Sequence, residues 1–445
     1  MLRREFISIA SSGFVATALG SHLNVATAQN VAGANELADA DEEADSSAMV
    51  ELEALDGEQF TGFGSVFESE RGDLFTDPFQ DAKWAAPALT PELRKLITDK
   101  KYWKIDAANR PLPAWAALDR APDYQHLSEF AAPTAGDFDL SAATLEFLAD
   151  RNSFVFSDKQ PIRIFGLRGC ALSSTSEEAT WADVHKVRVS QPNHLSCECI
   201  IGAWRTADNK LALFRASTVP AASNMFKALL TKGVGASLLP TGKYAFRAGS
   251  HKASDLTKIQ RGALLMDQPY VVLRSPDDLN YDPYQENDVW TRGVAHNLHS
   301  TGKFFDGPEI FDSAGCQVVR GRYIGDRTVC EGPWMSFRRA VGTVDSSDKP
   351  VKSEAAGSGT FEYMLLTGLE AALFAGGSAE FQKGYRRIRP GSSGTAVANE
   401  IARLKALYPK APITAADHFD MKVSFATLLD QKSQFGEYIA PIARV

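Results

Sequence analysis

At 445 residues, with 44% hydrophobic and 23% charged side chains, the chain is long enough for two or three packed domains and too apolar to be disordered throughout. Its formal charge of −8 comes from one short stretch: ten Asp or Glu and no Lys or Arg lie between Gln29 and Glu58. With that stretch and the amino-terminal Arg3, Arg4 and Glu5 set aside, the remainder is close to +1. A nearly neutral body without a basic stripe excludes nucleic acid as a partner.

The first residues, Leu2-Arg3-Arg4-Glu5-Phe6-Ile7, lead into a small-residue apolar run ending near Leu19 and then Ala26-Thr27-Ala28. A paired arginine, a weakly apolar segment and an A-x-A site predict a twin-arginine export signal over residues 1–28. The run is shorter than the ~20 residues that span a bilayer, so no membrane span is expected after processing. The twin-arginine translocase is the implied partner, and the periplasm or cell surface the implied location. Residues 29–60, the acidic stretch, bury too little apolar surface to order themselves and predict a solvated linker.

Residues 61–160 mix Pro and Trp with two helical patterns, Thr90–Ile97, where Thr90 caps and Pro91 takes the first helical position, and Asp139–Leu148. No chemical motif lies here, and an accessory region is the expectation. From Pro161 short apolar runs alternate with turn residues: Ile162–Leu167, Cys199–Trp204, Leu211–Ala216, Gly242–Phe246 and Tyr270–Arg274. Thr206-Ala207-Asp208-Asn209-Lys210 supplies hairpin turn chemistry. Residues 161–345 therefore predict a mainly β domain within an α+β chain. A Ser/Gly/Asp/Lys-rich linker (Asp345–Gly359) and an apolar helix (Phe361–Ala375) fall in residues 346–385. Residues 386–445 predict a small helical domain with helices at Ala396–Leu407 and Val423–Lys432.

Five cysteines occur, Cys170, Cys197, Cys199, Cys316 and Cys330. An odd count in an exported chain implies at least one free thiol or an intermolecular bond. Cys197 and Cys199 would share one face of a strand near the upper limit for bridging, so pairing elsewhere, or none, is expected. A thiol becomes a nucleophile when a neighbouring base or cation stabilises its thiolate. Ser313-Ala314-Gly315-Cys316 puts a cysteine behind small residues, which admits a carbonyl and leaves backbone N–H groups for a developing oxyanion. Seventeen residues earlier, Asn297-Leu298-His299-Ser300 reads as a strand end carrying the base. The competing reading makes Cys316 a buried small residue or a disulfide half with Cys330.

These motifs resemble the L,D-transpeptidase catalytic domain, and they stand in that family's order. Leu239-Pro240-Thr241-Gly242-Lys243-Tyr244 resembles its Thr-Pro-x-Gly-x-Tyr strand entry, His299-Ser300 its His-Gly or His-Ser, and Ser313–Cys316 its Ser-His-Gly-Cys. The resemblance covers about residues 195–337 and implies a β-sandwich and a cysteine enzyme of the cell wall that needs no cofactor and no metal. It assigns Cys316 as nucleophile, His299 as base, the Ser300 carbonyl as the group orienting the imidazole, and the Gly315 and Cys316 amides as oxyanion donors. Ser313, Arg320, Tyr244 and His251 are the expected substrate-binding residues, with peptidoglycan stem peptides, and glycan strands as a further option, as partners. Ala314 stands where the family has His, and the Arg two residues after the cysteine is replaced by Val318, with Arg320 the nearest substitute. Residues 386–445 are similar to a small peptidoglycan-binding domain through Arg389–Val397 and His418–Phe425, a plain helical cap being the other reading.

Two rival functions remain open at this level. A protein of the same fold that binds peptidoglycan without chemistry is compatible with Ala314. The spacing His299 to Asp306 also resembles zinc D,D-carboxypeptidases, but the further histidine they need is present downstream only as His418. His296 with His299 would point to opposite faces of a strand. Asp278, Asn280, Asp282 and Glu286 resemble a calcium loop lacking its Gly and closing Glu.

Overall fold

The structure is a computed structural model, and it describes residues 122–131, 136–190, 196–221, 236–252, 259–274, 289–293, 296–301, 313–324, 329–351, 359–436 and 438–445, with single positions 192, 194, 224 and 311 between them. The export signal, the acidic linker, the Thr90–Ile97 helix, the calcium-like loop and Asp306 lie outside these residues.

In chain order the elements begin with α1 (Pro122–Gln125), β1 (Asp137–Ser141), α2 (Ala142–Arg151), β2 (Ile162–Arg168), β3 (Cys170–Leu172), β4 (Glu178–Ala182) and β5 (Val184–Val189). They continue through β6 (Cys199–Arg205), β7 (Lys210–Ser217), β8 (Ser237–Leu238), β9 (Gly242–His251), β10 (Gln260–Met266), β11 (Val271–Arg274) and β12 (Val289–Arg292). Next come β13 (Leu298–Ser300), β14 (Gln317–Val319), β15 (Arg322–Ile324), β16 (Val329–Glu331), α3 (Pro333–Val341) and β17 (Thr360–Thr367). The last are α4 (Gly368–Ala375), α5 (Ala379–Gly384), β18 (Arg387–Ile388), α6 (Thr395–Leu407), α7 (Met421–Phe435) and β19 (Ala443–Arg444).

The body is mainly β, as its alternating runs predict. Its principal sheet runs β14-β13-β10-β9-β17-β2-β6-β7 and closes on itself where β7 pairs with β14 through Ser217↔Val318 and Ala216↔Val319. β4 lies along the same edge of β7, against Phe214, Leu213 and Leu211. β17 runs parallel to β2, β13 runs parallel to β14, and the other barrel pairs are antiparallel. A barrel of this kind has no long free edge to attract another chain.

Two-residue periodicity then sorts side chains between an interior and an outer wall. Every barrel strand contributes to the inner core, with Ile164, Ile201, Phe214, Phe246, Leu264, Leu298, Val319 and Tyr363 closed off by Trp334 and Phe337 of α3. The alternate residues Phe165, Leu167, Ile200, Leu213, Met364 and Leu366 form an outer core under α2, α4 and α5. A third cluster joins Val318, Leu238, Val271 and Leu273 to Phe425 and Leu428 of α7.

Two segments differ from their sequence-based expectation. Asp137–Ser141 is a strand paired with β5, and the helix starts only at Ala142. Phe361–Thr367 is a central strand, not the first half of a helix. It is buried on both faces between β2 and β9, so its apolar residues show no alternation. The helix that follows begins at Gly368, where Thr367 and Glu370 form a reciprocal capping box.

The carboxy-terminal segment is tied to the barrel by buried ions. Arg389 Nη2 donates to Glu370 Oε1 at 2.7 Å, and its Nη1 donates to Thr241 Oγ1 at 2.7 Å. The Thr241 N–H donates to Asp123 Oδ1 at 2.9 Å, and the other oxygen of Asp123 is ion-paired with Arg168. Arg168 also donates to the carbonyls of Thr218 and Leu239. His126 and Tyr385 complete the seam at Glu370.

Candidate active site

Parallel pairing of β13 with β14 sets Leu298 opposite Gln317 and His299 opposite Val318, and the Gln317 N–H donates to the Asn297 carbonyl at 2.8 Å. Leu298 and Val319 face the barrel interior, so His299 and Val318 face the outer wall. Cys316 precedes Val318 by two residues and packs against the same outer cluster. Strand spacing and rise place the Cα atoms of Cys316 and His299 about 8 Å apart on one face, a span that a thiol and an imidazole leaning toward each other can close.

The imidazole is oriented by its own strand. His299 Nδ1 lies 2.6 Å from the Ser300 carbonyl oxygen. A carbonyl only accepts, so Nδ1 carries the proton and the neutral ring keeps its lone pair on Nε2. The Ser300 hydroxyl donates to Gln260 Oε1 at 3.2 Å, which fixes the strand end laterally. His251, at the end of β9, stacks on His299 with ring centroids 4.4 Å apart and planes 7° from parallel. The Asn297 amide donates to His251 Nδ1 at 3.1 Å, while its oxygen accepts from the Met266 N–H.

The cysteine loop is held from both sides. Ser313 Oγ accepts from the Gly315 N–H at 3.0 Å and donates to the Cys316 carbonyl at 2.7 Å. The Ala221 N–H donates to the Ser313 carbonyl and the Ser237 N–H to that of Ala314. Gly315 has φ +146°, and a β-carbon there would lie 2.6 Å from both His296 Nε2 and the Ser237 carbonyl oxygen, so only glycine fits. The expectation for its amide needs correction: that N–H is spent on Ser313 Oγ instead of facing an oxyanion.

No disulfide joins any of the five cysteines, and Cys316 alone is not buried. Cys316 and Cys330 are not bridged. Burial pushes the thiols of Cys170, Cys197 and Cys199 up, far from thiolate formation at neutral pH. Among the five cysteines, access is found only at Cys316.

The other expected residues are more scattered. Tyr244 is a core residue, 1% exposed, with its hydroxyl donating to the Pro240 carbonyl at 2.7 Å, so ring and hydroxyl are both spent inside the barrel. Arg320 lies past the far end of β14, paired with Glu177 at 2.5 Å beside Arg215. Ala314 is exposed, and the imidazole facing its loop belongs to His296, whose Nδ1 lies 2.7 Å from the Tyr270 hydroxyl. Among the described residues, no three His, Cys, Asp or Glu side chains group as a metal site. A groove of about 430 Å³ opens beside Cys330, lined by Glu177, Glu178, Pro333 and Arg339, and Cys316 is not among its lining residues.

Asn297, Gln260, Gln317, His296 and Tyr270 were not singled out by the motifs as parts of this site. Asn297 and Gln317 flank the motifs as amides at buried positions, a readable sign of a hydrogen-bonding duty. Gln260 and Tyr270 lie far away in sequence, and only the sheet brings them near. No family model, no curated protein and no solved structure matches this chain.

Proposed function

We propose that the chain is an exported cysteine acyltransferase or peptidase with an L,D-transpeptidase-like catalytic fold, acting on peptidoglycan stem peptides in the periplasm or at the cell surface. One observation carries the reading: His299 donates through Nδ1 to the Ser300 carbonyl and so keeps a lone pair on Nε2, on a residue registered against Val318, beside which Cys316 packs. His299 Nε2 takes the Sγ proton, and the thiolate adds to a stem-peptide carbonyl carbon. The C–N bond then breaks, the leaving D-amino acid nitrogen takes the proton from His299, and a thioester remains on Cys316. An amine or a water molecule attacks the thioester, gives a proton to His299 and regenerates the thiol. Resemblance to a wall-binding domain in residues 386–445 and the twin-arginine-like amino terminus agree with this location and substrate.

Incubating the mature protein with a carbapenem and reading intact mass tests the proposal. One adduct is expected, located on Cys316 by peptide mapping and absent in Cys316→Ser. An ordered wild-type protein that takes no adduct would favour the non-catalytic alternative, to which the engaged Gly315 amide lends its one structural argument. Stoichiometric zinc after dialysis would sink the cysteine mechanism in favour of the metal-dependent alternative.

A further inference from the structure

His251 is the residue of this region whose position the acyl-transfer steps do not explain. It ends β9, is cross-strand from Gln260 of β10, and reaches past that strand to lie flat on His299 of β13. Three tethers meet there. Asn297 holds the His251 ring, Gln260 holds the Ser300 hydroxyl, and the Ser300 carbonyl holds the His299 ring. On the intervening strand the Leu265 side chain covers Gly249, and the buried Arg338 guanidinium covers Gly262 at the bulge between Arg261 and Ala263.

We propose that His251 is a positioning residue for the Cys316–His299 pair: its aromatic face fixes the plane of the base imidazole and stabilises the cation that His299 becomes on taking the thiol proton. The proposal rests on the reading of His299 as base. An aromatic face over a cation attracts it, most strongly where water is excluded. Two imidazolium rings in a 4.4 Å stack would repel, so the arrangement works only with one proton between them. Burial first, then the cationic neighbours His299 and Lys252, hold His251 well below the ordinary histidine range. Asn297 contributes a neutral donor, Gln260 a neutral amide, and Arg261 is registered against Ser250. The proton therefore belongs to His299.

Alkylation of Cys316 by iodoacetamide, followed by intact mass from about pH 5 to pH 9, reads this directly in the full mature chain. His251→Ala is expected to slow alkylation near pH 6.5 about tenfold and to move the profile to higher pH, the size of a partly desolvated cation–π contact. His251→Phe keeps an aromatic face and should return the rate to within about threefold of wild type. His251→Gln keeps a partner for Asn297 without a ring and should behave as the alanine variant. Profiles for Ala and Gln that superimpose on wild type would overturn the proposal, as would rescue by Gln and not by Phe. If the alanine variant fails to fold, the Phe and Gln pair decides alone. No wall substrate enters this assay. An intact alkylation pattern with no transfer from stem peptides would sink the proposed function alone, and transfer with an unresponsive pattern would sink the role of His251 alone.

Discussion

At the ends of β13 and β14 the polar side chains sit at a half-open edge: Cys316 is partly exposed, and His299 is 4% exposed beneath it. At the seam between β2, α4 and the carboxy-terminal segment, Asp123, Arg168, Glu370 and Arg389 are all sealed at 0% exposure. Both regions hold titratable groups in unusual surroundings, and such groups are a common mark of function. They differ in what the burial accomplishes. The seam matches each of these charges with an opposite one, and its one thiol, Cys199 behind Thr218 Oγ1, is buried, so its charges hold chain segments together. The β13–β14 edge instead carries a partly exposed thiol and an imidazole whose Nδ1 is held by a backbone carbonyl. Perturbed ionisation alone would have drawn attention to the seam, which adjoins the cysteine loop through Thr218 and Leu239.

Substitutions should separate the two regions cleanly. The largest effect is all-or-none: a thiol reagent should modify one cysteine in the native protein and five in urea, and Cys316→Ser should abolish the native reaction without moving the unfolding midpoint. Reaction of Cys170, Cys197, Cys199 or Cys330 in the native state would break the comparison.

Next in size, Arg389→Ala leaves Glu370 as a buried carboxylate without its arginine and should cost about 3–5 kcal/mol in urea unfolding. The folded fraction should alkylate Cys316 at the wild-type rate. A matching loss of alkylation would mean that seam and site are one unit.

Acid should weaken the seam before it touches the barrel core. Burial lowers His126 from the ordinary histidine value and, outside the seam, brings His194, whose Nδ1 lies 2.7 Å from the Pro220 carbonyl oxygen, to about 4. Glu370 is held far below the usual carboxylate range: burial opposes this, but Arg389 and the His126 hydrogen bond overcome it. A group with a depressed folded pKa binds fewer protons folded than unfolded. Its stabilisation is complete above the unfolded value and fades as pH falls toward the folded one. The histidine share should therefore fade below about pH 6.5 and the Glu370 share below about pH 4.3. Urea midpoints at pH 7, 5.5 and 4 should fall in order, and His194→Gln should flatten the first step. A midpoint level or rising between pH 7 and 5.5 would contradict the assigned protonation states.

Much of the barrel was legible as short apolar runs bounded by turn residues, because strands such as β2, β6 and β7 are buried on both faces and end where the chain turns. β17 was not legible because its apolar run continues directly into that of α4, and an apolar stretch of the combined length reads as helix. That Cys316 and His299 come near one another was legible because His299 lies on β13 and Cys316 immediately precedes its parallel partner β14. Tyr244 and Arg320 were misleading for a physical reason. Sequence gives identity and spacing, whereas the direction of a side chain depends on the register of its strand, which puts Tyr244 inside the barrel and Arg320 at the end of β14 away from Cys316. The Leu239–Tyr244 motif likewise serves the seam more than the chemistry, through the Leu239 carbonyl and Thr241.

The smallest prediction tests a hydrogen-bonded path from the barrel interior to the cysteine loop. The Tyr363 hydroxyl, inside the barrel, donates to Gln317 Oε1 at 3.2 Å, and the Gln317 amide donates to the Gly315 carbonyl at 3.3 Å. Tyr363→Phe removes one neutral hydrogen bond and leaves an acceptor unsatisfied, a cost of about 1–2 kcal/mol in urea unfolding. Ser313 Oγ and the Ser237 and Ala221 amides hold the cysteine loop independently of that bond. Alkylation of Cys316 should therefore change less than about twofold, since the lost bond lies beyond the groups that fix the thiol and its base. A larger change with little loss of stability would mean that the barrel interior, through Gln317, sets the position of the nucleophile, and the division between a structural core and a chemical edge would have to be redrawn at Tyr363.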